Sequence, residues 1–334
     1  MVSRPTRRVV CAVALAASAL PALAEVTEVH VAQQYGVSFL PLMLMEREKL
    51  VEKHAKAAGL GDLRLSWTKL AGPSVINDGL ITGSIQFAAT GAPSMITLWD
   101  KTNGAVKGVA SMTTYPLYLI SRDPDVKSIK DFSGKDKIAV PSIRVSTQAI
   151  LLEMAAAKAW GPDQYARLDP LTIGLSHPDA MLALTSGTGG VNAHFTSSPF
   201  YEQEIKVPGV KTITTSYEIL GGRATAVLIT ASSRFRDANP KTYHAFFDAL
   251  AEAIKTINKD KRAAAKIYLE QAQDKKNTVD DIVRMIDDPD YEYTLRPEKV
   301  FKTAEFMHQI GTIKKRPDSW KDLFFPEVHS LNGD

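Results

Sequence analysis

The sequence has 334 residues and a single cysteine, Cys11, close to its amino terminus. A mature chain that began after Ala24 would contain none, which excludes disulfides, a thiolate nucleophile and a cysteine-ligated metal site. Such a chain must rely on its hydrophobic core for stability. The remaining length of about 310 residues is enough for a core divided between two domains.

Long apolar runs are also scarce. The run near the start, Val9–Leu20, is shorter than the about 20 residues that a transmembrane helix needs. It follows three arginines and precedes Ala22-Leu23-Ala24, which is the pattern of a secretory signal peptide. We therefore predict a signal peptide at residues 1–24, cleavage after Ala24 and a periplasmic location. No second long apolar stretch follows, so we expect the mature chain to be soluble.

Neither sign of charge is in excess once that segment is removed. The whole chain has 40 Lys and Arg against 37 Asp and Glu, and three of the basic residues lie among the first 24. The mature chain is therefore neutral, and it has no long basic run. Both features argue against a nucleic-acid partner.

Catalytic signatures are missing as well. The sequence contains no G-x-S-x-G, P-loop or G-x-G-x-x-G pattern. The glycine-rich run Thr185–Gly190 follows a predicted helix instead of preceding one, which is typical of a helix stop. His177 and His194 lack the three or four converging ligands of a metal site, and His194 fits a core or cleft-lining position better. We predict no enzymatic activity, no cofactor and no metal.

Strand patterns alternate with helix patterns along the rest of the chain, which predicts parallel βαβ units covered by helices on both faces. After the last predicted strand, only helices are expected. The predicted strands are Val26–Gln33, Leu63–Lys69, Ile85–Thr90, Val106–Met112, Leu117–Ser121, Lys137–Pro141, Val191–Phe195 and Ala224–Thr230. The predicted helices are Phe39–Ala58, Ser74–Ile81, Pro93–Lys101, Ser146–Trp160, Asp179–Thr185, Tyr243–Asn258, Arg262–Gln271, Val279–Ile286 and Pro297–Ile310.

One pattern occurs twice. A helix, a glycine stop and a short strand lead to Thr90-Gly91-Ala92-Pro93, and the same order leads to Thr196-Ser197-Ser198-Pro199. A common ancestry of the two halves and the ordinary similarity of αβα units explain this equally well. In either case each Thr-x-x-Pro loop follows the carboxyl end of a strand, where open α/β sheets bind ligands.

Three segments carry a family resemblance: Trp67–Pro73, Leu80–Gly91 and Asp131–Lys135. With them, the chain resembles the nitrate, sulfonate and taurine group of ABC-transporter substrate-binding proteins, to which thiamine-precursor pyrimidine-binding proteins are related. The resemblance covers nearly all of the mature chain. It implies the α/β type II periplasmic-binding-protein fold, in which two crossing strands join two Rossmann-like lobes around a ligand cleft.

The resemblance also suggests where the lobes divide. We place the first crossing near Ser111–Pro116 and the return near Gly221–Ala226. Lobe one would then comprise residues 25–113 and 224–334, and lobe two residues 114–223. The related pyrimidine synthases rely on a cysteine cluster that the mature chain does not have.

Several helices are predicted to begin just after a strand, at Ser38, Pro73, Pro93, Ser146 and Ser176. A helix start has unpaired N–H groups and a partial positive charge, so several starts in one cleft favour an anion. We predict a ligand site at these starts and at the loop after the first strand. Its members are Gln34, Tyr35, Ser38, Gly72, Pro73, Ser74, Thr90, Gly91, Ala92, Pro93, Tyr115, Arg144, Val145, Ser146, Thr147, His177, Thr196, Ser197 and Arg223.

Arg144 departs from the sulfonate-binding pattern, which has a glycine-rich sequence at this place. Its guanidinium group could clamp a carboxylate or sulfonate through two hydrogen bonds. A surface arginine covering the end of the helix fits the sequence equally well. Arg223 is a second, weaker candidate for the same role.

The sequence therefore predicts a monomeric exported protein that delivers a small organic anion to an ABC permease through a transient contact. A neutral aromatic or pyrimidine-like ligand is the alternative. A periplasmic sensor that presents its ligand to a membrane kinase would have the same fold, and the sequence does not separate these roles.

Overall fold

The strands of this protein form two separate β-sheets. The computed structural model describes residues 24–334, so the predicted signal peptide lies outside the described residues except for Ala24. The strands are β1 Glu28–Gln33, β2 Arg64–Lys69, β3 Phe87–Thr90, β4 Val106–Thr114, β5 Tyr118–Ser121, β6 Ile138–Val140, β7 Thr172–Gly174, β8 Ala193–Thr196, β9 Lys211–Thr215, β10 Thr225–Ser232 and β11 Glu292–Tyr293.

Helices cover the sheets. They are α1 Leu40–Glu48, α2 Leu50–Ala57, α3 Pro73–Thr82, α4 Ala92–Lys101, α5 Thr147–Trp160, α6 His177–Ser186, α7 Phe200–Glu204, α8 Ser216–Leu220, α9 Ser233–Ala238, α10 Pro240–Lys259, α11 Lys261–Ala272, α12 Val279–Ile286 and α13 Val300–Gln309. Within residues 24–334, no helix is long and apolar enough to cross a membrane.

The first sheet has the strand order β11-β4-β10-β3-β1-β2 and the second β7-β6-β8-β5-β9. In the first, β1 pairs in parallel with β2 and β3, whereas β10 runs antiparallel to β3 and β4. In the second, β6 pairs in parallel with β7 and β8, whereas β5 runs antiparallel to β8 and β9. The sheets are therefore mixed, and the expectation of parallel units holds only for part of each.

We call the first sheet with α1–α4 and α9–α13 lobe one, and the second sheet with α5–α8 lobe two. The chain passes from the first sheet to the second between Thr114 and Tyr118, and it returns between Thr215 and Thr225. The carboxyl ends of β1 and β3 face those of β6 and β8 across the junction, because residues that follow these four strands line one cavity.

In lobe one, the hydrophobic core joins the first sheet to the carboxyl-terminal helices. Phe87 of β3 is fully buried and stacks on Phe246 of α10, with ring centroids 3.8 Å apart. Apolar side chains of α10 recur every three to four residues, so one face of this helix is buried along its length. The prediction that the last third of the chain supports the first sheet agrees with this packing.

Two differences from the sequence-based expectations concern lobe one. The predicted helix Phe39–Ala58 is broken at Lys49, which has the left-handed conformation with φ 49° and separates α1 from α2. The prediction that only helices follow β10 is wrong, because the two-residue strand β11 pairs with Thr113 and Thr114 of β4. A two-residue strand has no periodicity by which a sequence could reveal it.

Candidate functional site

A narrow cavity of about 30 Å³ lies between the two lobes. This is space for little more than a water molecule or two. Residues of both lobes and of the first connection between them line it. They are Gln34, Tyr35, Phe39, Pro73, Gly91, Tyr115, Leu117, Ser146, Thr147, Gln148, His177, Ser197, Ala226 and Val227.

Nine of these residues belong to the predicted ligand set, and they come from separate parts of the sequence. They are Gln34, Tyr35, Pro73, Gly91, Tyr115, Ser146, Thr147, His177 and Ser197. The structure thus brings the loop after β1 and the starts of four helices to one cavity. Its other lining residues, Phe39, Leu117, Gln148, Ala226 and Val227, were not predicted.

Four helices, α3 to α6, begin at or beside this cavity. In lobe two, Ser146 accepts a hydrogen bond from the backbone N–H of Ala149, and Ser176 accepts one from Asp179. In lobe one, the N-cap residues are Gly72 and Gly91, which have no side chain to cap α3 and α4. The lobe-one helix starts therefore present uncapped backbone and a partial positive charge.

No lysine, arginine, aspartate or glutamate is among the described residues that line the cavity. Its polar groups are the hydroxyls of serine, threonine and tyrosine, two glutamine amides and the imidazole of His177. Burial, together with the neighbouring His194, lowers the pKa of His177 well below its ordinary value. The imidazole is therefore neutral near pH 7, and the cavity wall has no formal charge.

Gly72 and Gly91 lie where the lobes touch. A Cβ atom on Gly72 would clash with the backbone oxygen of Pro141 and lie 2.6 Å from Oγ of Ser142, and a Cβ atom on Gly91 would clash with Oγ1 of Thr147. Both glycines have negative φ angles that any residue can adopt. The close approach of lobe two, and not the backbone conformation, therefore requires glycine here.

Tyr115 stands in the first connection between the lobes and is buried. Its ring stacks on Tyr291, with centroids 4.9 Å apart and 17° between the planes. Burial raises the pKa of Tyr115, and the hydroxyls of Ser38 and Ser197 beside it offset part of this effect. Tyr115 is therefore a neutral phenol whose hydroxyl lies among residues of both lobes.

The other predicted residues surround the cavity without lining it. Ser38 is buried, and its carbonyl oxygen accepts a hydrogen bond of 2.8 Å from Thr113. Thr90 and Thr196 end β3 and β8, and each has a buried hydroxyl without a partner in the part of the chain that the structure describes. The two Thr-x-x-Pro loops thus follow equivalent strands of the two sheets.

The remaining members lie at the contact between the lobes. The backbone N–H of Ser74 is 3.4 Å from Oγ of Ser142. Ala92 and Pro93 line a second cavity of about 10 Å³ together with Thr147. Val145 is half-buried in the loop before α5 and is not part of the cavity wall.

The structure brings neither arginine to the cavity. The Arg144 side chain is 70% exposed, and its Nε atom is 3.0 Å from Oδ2 of Asp169. Nη1 of Arg223 donates to the carbonyl oxygen of Pro289 at 2.7 Å, and Nη2 is 2.6 Å from Oε2 of Glu292. In this arrangement Arg144 is held by Asp169 of lobe two and Arg223 by Glu292 of lobe one, so neither guanidinium group points into the cavity.

Gln148, His194 and Glu204 form a buried polar row with His177. Nδ1 of His177 is 2.9 Å from Nε2 of His194, and Nδ1 of His194 is 2.7 Å from Oε1 of Glu204. Glu204 was not predicted, because α7 has only five residues and no periodic pattern. The residues that the structure describes contain no group of three His, Cys, Asp or Glu side chains that could hold a metal.

Two larger grooves adjoin the cavity through shared residues. One, of about 380 Å³, includes Tyr115 together with Tyr118 and Tyr291. The other, of about 360 Å³, includes Tyr35 and has an apolar wall to which Met43 and Phe200 contribute. Each groove has residues from both lobes, so the space available next to the cavity depends on how the lobes meet.

The model of the NMT1-like family matches residues 22–269 of the chain. No curated protein sequence matches this chain significantly. The chain is, however, similar in structure to solved proteins with low sequence identity. Because the identity is below 25% in each case, these similarities concern the fold.

The alkanesulfonate-binding protein SsuA from Xanthomonas axonopodis pv. citri, bound to MOPS, has a TM-score of 0.69 and 17% identity, covering 88% of this chain and 96% of that one. The aliphatic sulphonate-binding protein SsuA from Escherichia coli has a TM-score of 0.63 and 17% identity, covering 90% and 99%. The nitrate-binding protein NrtA from Synechocystis PCC 6803 has a TM-score of 0.59 and 17% identity, covering 78% and 69%. These are binding proteins and not enzymes, and their fold is the predicted one.

Proposed function

Because the chain belongs to the NMT1-like family and has the periplasmic-binding-protein fold, we propose that it is the exported solute-binding component of an ABC importer. Its ligand is a small organic anion, sulfonate-like or carboxylate-like, held between the two lobes. Residues 25–113 with 224–334 form one lobe and residues 114–223 the other. The protein acts as a monomer and meets an inner-membrane permease transiently.

The observation that carries this proposal is the convergence of four helix starts on a cavity without charged side chains. Backbone N–H groups and the partial positive charge of helix N-termini stabilise an anion without a cationic side chain. Hydroxyl groups of Ser146, Thr147 and Ser197 add donors at the same place. A cationic ligand would find no carboxylate among the described lining residues.

The dimensions of the cavity support a ligand with a small charged group. Drug-sized ligands occupy roughly 300–1,000 Å³, far more than the cavity between the lobes offers in this arrangement. The anionic group of a sulfonate or carboxylate would enter the cavity as the lobes close. An organic tail would extend into the apolar groove that Tyr35 shares with Met43 and Phe200.

A thermal-shift titration of the mature chain, from Glu25 onward, tests this function. Ethanesulfonate, acetate and nitrate are compared with ethyl methyl sulfone, an uncharged molecule similar in shape to ethanesulfonate. A bound ligand at 100 times its dissociation constant adds about 2.7 kcal/mol to the free energy of unfolding. We expect stabilisation by an anion and none by the sulfone. Equal stabilisation by both would contradict an anion site.

A neutral aromatic ligand is the second candidate, because the rings of Tyr35, Phe39 and Tyr115 line the cavity. Such rings can stack on a flat ligand. Pyrimidines in the same titration distinguish the two functions. Stabilisation by a pyrimidine, with none by the anions, would replace the first proposal with this one.

A further inference from the structure

The buried polar row of lobe two leads from the cavity into the interior. Gln148 and His177 line the cavity, whereas His194 and Glu204 lie behind them. All four side chains belong to residues that are more than nine-tenths buried, and His194 and Glu204 have no exposed surface. Bulk solvent therefore does not reach His194 and Glu204, and the hydrogen bonds within the row connect them to the cavity.

Glu204 determines how many protons the row holds. Its salt-bridge partner is His194, and in residues 24–334 no lysine or arginine lies within bridging distance of its carboxylate. Its Oε2 atom has no hydrogen-bond partner in the same part of the chain. An uncompensated buried carboxylate is strongly unfavourable. A proton shared by Glu204 and His194 would remove that charge.

Other charged groups do not substitute for this proton. The strands beside His194, β5 and β6, have no lysine, arginine, aspartate or glutamate. Asp179 of α6 accepts a hydrogen bond from Ser176, and Glu202 of α7 accepts one from Ser198. A carboxyl group has no positive charge in either protonation state, so neither of these residues can balance the charge of Glu204.

One extra proton on the Glu204–His194 pair determines which atom donates in each hydrogen bond of the row. If the proton is on Glu204, that carboxyl group donates to Nδ1 of His194, and the hydrogen of His194 is on Nε2. If the proton is on His194, both of its nitrogens carry hydrogens. In both cases Nε2 of His194 donates to Nδ1 of His177, so a neutral His177 carries its own hydrogen on Nε2.

At the cavity end of the row, Gln148 can accept the hydrogen on Nε2 of His177. Nε2 of His177 is 3.3 Å from the amide group of Gln148. The oxygen and nitrogen of that amide exchange places by a half-turn, so Gln148 can accept the hydrogen until a ligand oxygen does. Without the extra proton, His194 would donate to Glu204 and His177 would donate to His194. Nε2 of His177 would then have no hydrogen, and its lone pair would repel an anion.

We propose that Glu204 and His194 are positioning residues that hold His177 in the Nε2–H tautomer, so that the cavity wall donates a hydrogen bond to an oxygen of the bound anion. This inference rests on the proposed function for its ligand class. It adds that two residues outside the cavity wall determine whether the wall donates or accepts.

Nitrogen-15 NMR of the histidine side chains tests the tautomer without any ligand. The mature chain has seven histidines, and a His177→Gln variant identifies the signals of His177. We expect Nε2 of His177 to be protonated and Nδ1 to be unprotonated. A protonated Nδ1 with a bare Nε2 would overturn the proposal, whichever ligand the protein binds.

Two matched variants test the role of Glu204. Glu204→Gln has no charge to hold a proton, and its amide can donate or accept, so we expect His177 signals from both tautomers. Glu202→Gln makes the same change on the same short helix, outside the row, and should retain the single Nε2–H tautomer. A single unchanged tautomer in Glu204→Gln would show that Glu204 does not position His177. If Glu204→Gln does not fold, the wild-type spectrum still decides.

Calorimetry with ethanesulfonate in buffers of different ionisation enthalpy provides a separate test. If the donor hydrogen is already in place, binding takes up no proton. Uptake of about one proton per ligand would mean that the resting row lacks the extra proton, which overturns the proposal. If ethanesulfonate does not bind while the Nε2–H tautomer is observed, the anion function fails and the tautomer assignment stands.

Discussion

The glycines at the cleft are explained by the opposite lobe. Gly72 and Gly91 do not need the left-handed conformation, yet a single added carbon would meet lobe two. The sequence places both residues at helix starts, which suggested that they contact the ligand. The structure indicates a different role for Gly72, since it does not line the cavity. It allows the two lobes to approach each other.

We predict that Gly72→Ala weakens ligand binding by tenfold or more without lowering the stability of the free protein. The added Cβ atom would meet the backbone oxygen of Pro141 only when the lobes are together. Ligand titration by calorimetry and urea unfolding measure the two effects. Gly61→Ala is the control, because a Cβ atom there has no neighbour within 4 Å. Unchanged binding in Gly72→Ala would exclude a role in closure.

Glu153 is a second residue whose properties depend on its surroundings. Burial and the nearby charge of Asp169 raise its pKa to about 8, although Arg144 acts in the opposite direction. In the unfolded chain a glutamate ionises near pH 4.5. The folded state therefore binds one more proton between these values, and its stability should fall as the pH rises from about 4.5 to about 8.

We predict that Glu153→Gln is more stable than the wild type above pH 8, by about 1 to 3 kcal/mol. Near pH 4 the two proteins should differ little, because Glu153 is then protonated in both the folded and the unfolded state. Urea unfolding at pH 4.5, 6.5 and 8.5 measures the difference. A constant difference across this range would mean that Glu153 does not titrate as the burial of its side chain implies.

Among the elements, the helices with strong caps were predictable and the short ones were not. Ser146 and Ser176 precede α5 and α6 as the sequence indicated, and Gly83 ends α3 in the left-handed conformation. By contrast, β7, α7, β9, α8 and β11 were missed. Each has five residues or fewer, too few for a period of 2 or 3.6 to be recognised. The positions of the three strands depend on pairing with distant strands.

The same reasoning explains which site residues were found. The nine predicted ligand residues that line the cavity follow strands or begin helices, and such positions can be read from the sequence. Gln148 was missed although it lies only two residues after the Ser146 cap. Phe39, Leu117, Ala226 and Val227 look like core residues, and only the arrangement of the lobes places them at the cavity. The direction in which Arg144 points was not predictable.

The break between α1 and α2 gives a prediction at this scale. Lys49 adopts the left-handed conformation, with φ 49° and ψ 45°, which costs a non-glycine residue about 1–2 kcal/mol. Lys49→Gly should raise the free energy of unfolding by up to about 1 kcal/mol, since the flexibility of glycine in the unfolded chain offsets part of the gain. Lys49→Ala controls for loss of the side chain and should not stabilise the protein. Equal effects of both would contradict this explanation.

At the scale of the whole molecule, the lobes contact each other through polar groups near the cavity and through apolar residues such as Ala92 and Ile150. The N–H of Val37 donates to the carbonyl oxygen of Ser198 at 3.3 Å, and Ser74 approaches Ser142 at 3.4 Å. Two connections and the stacked rings of Tyr115 and Tyr291 join the lobes on one side. Such a junction favours rotation of the lobes about the connections.

We predict that a bound anion decreases the radius of gyration in solution. The ligand shifts the population toward closed lobes only by its additional affinity for that state. X-ray scattering of the mature chain with and without saturating ethanesulfonate measures the change, and Gly72→Ala should show a smaller one. An unchanged radius at saturation, confirmed by calorimetry, would exclude closure of the lobes.

The uncharged wall of the cavity has a consequence for selectivity. Dipoles and hydrogen-bond donors can replace the water around a singly charged anion, but they provide no full counter-charge for a second negative charge. A sulfate dianion has more hydration energy to replace than a sulfonate of nearly the same geometry, so its binding would depend more strongly on the number of donors that the wall supplies. If the proposed function holds, we expect the site to bind a singly charged organic anion more tightly than a dianion of similar shape, so that selection would depend on valence as well as on shape.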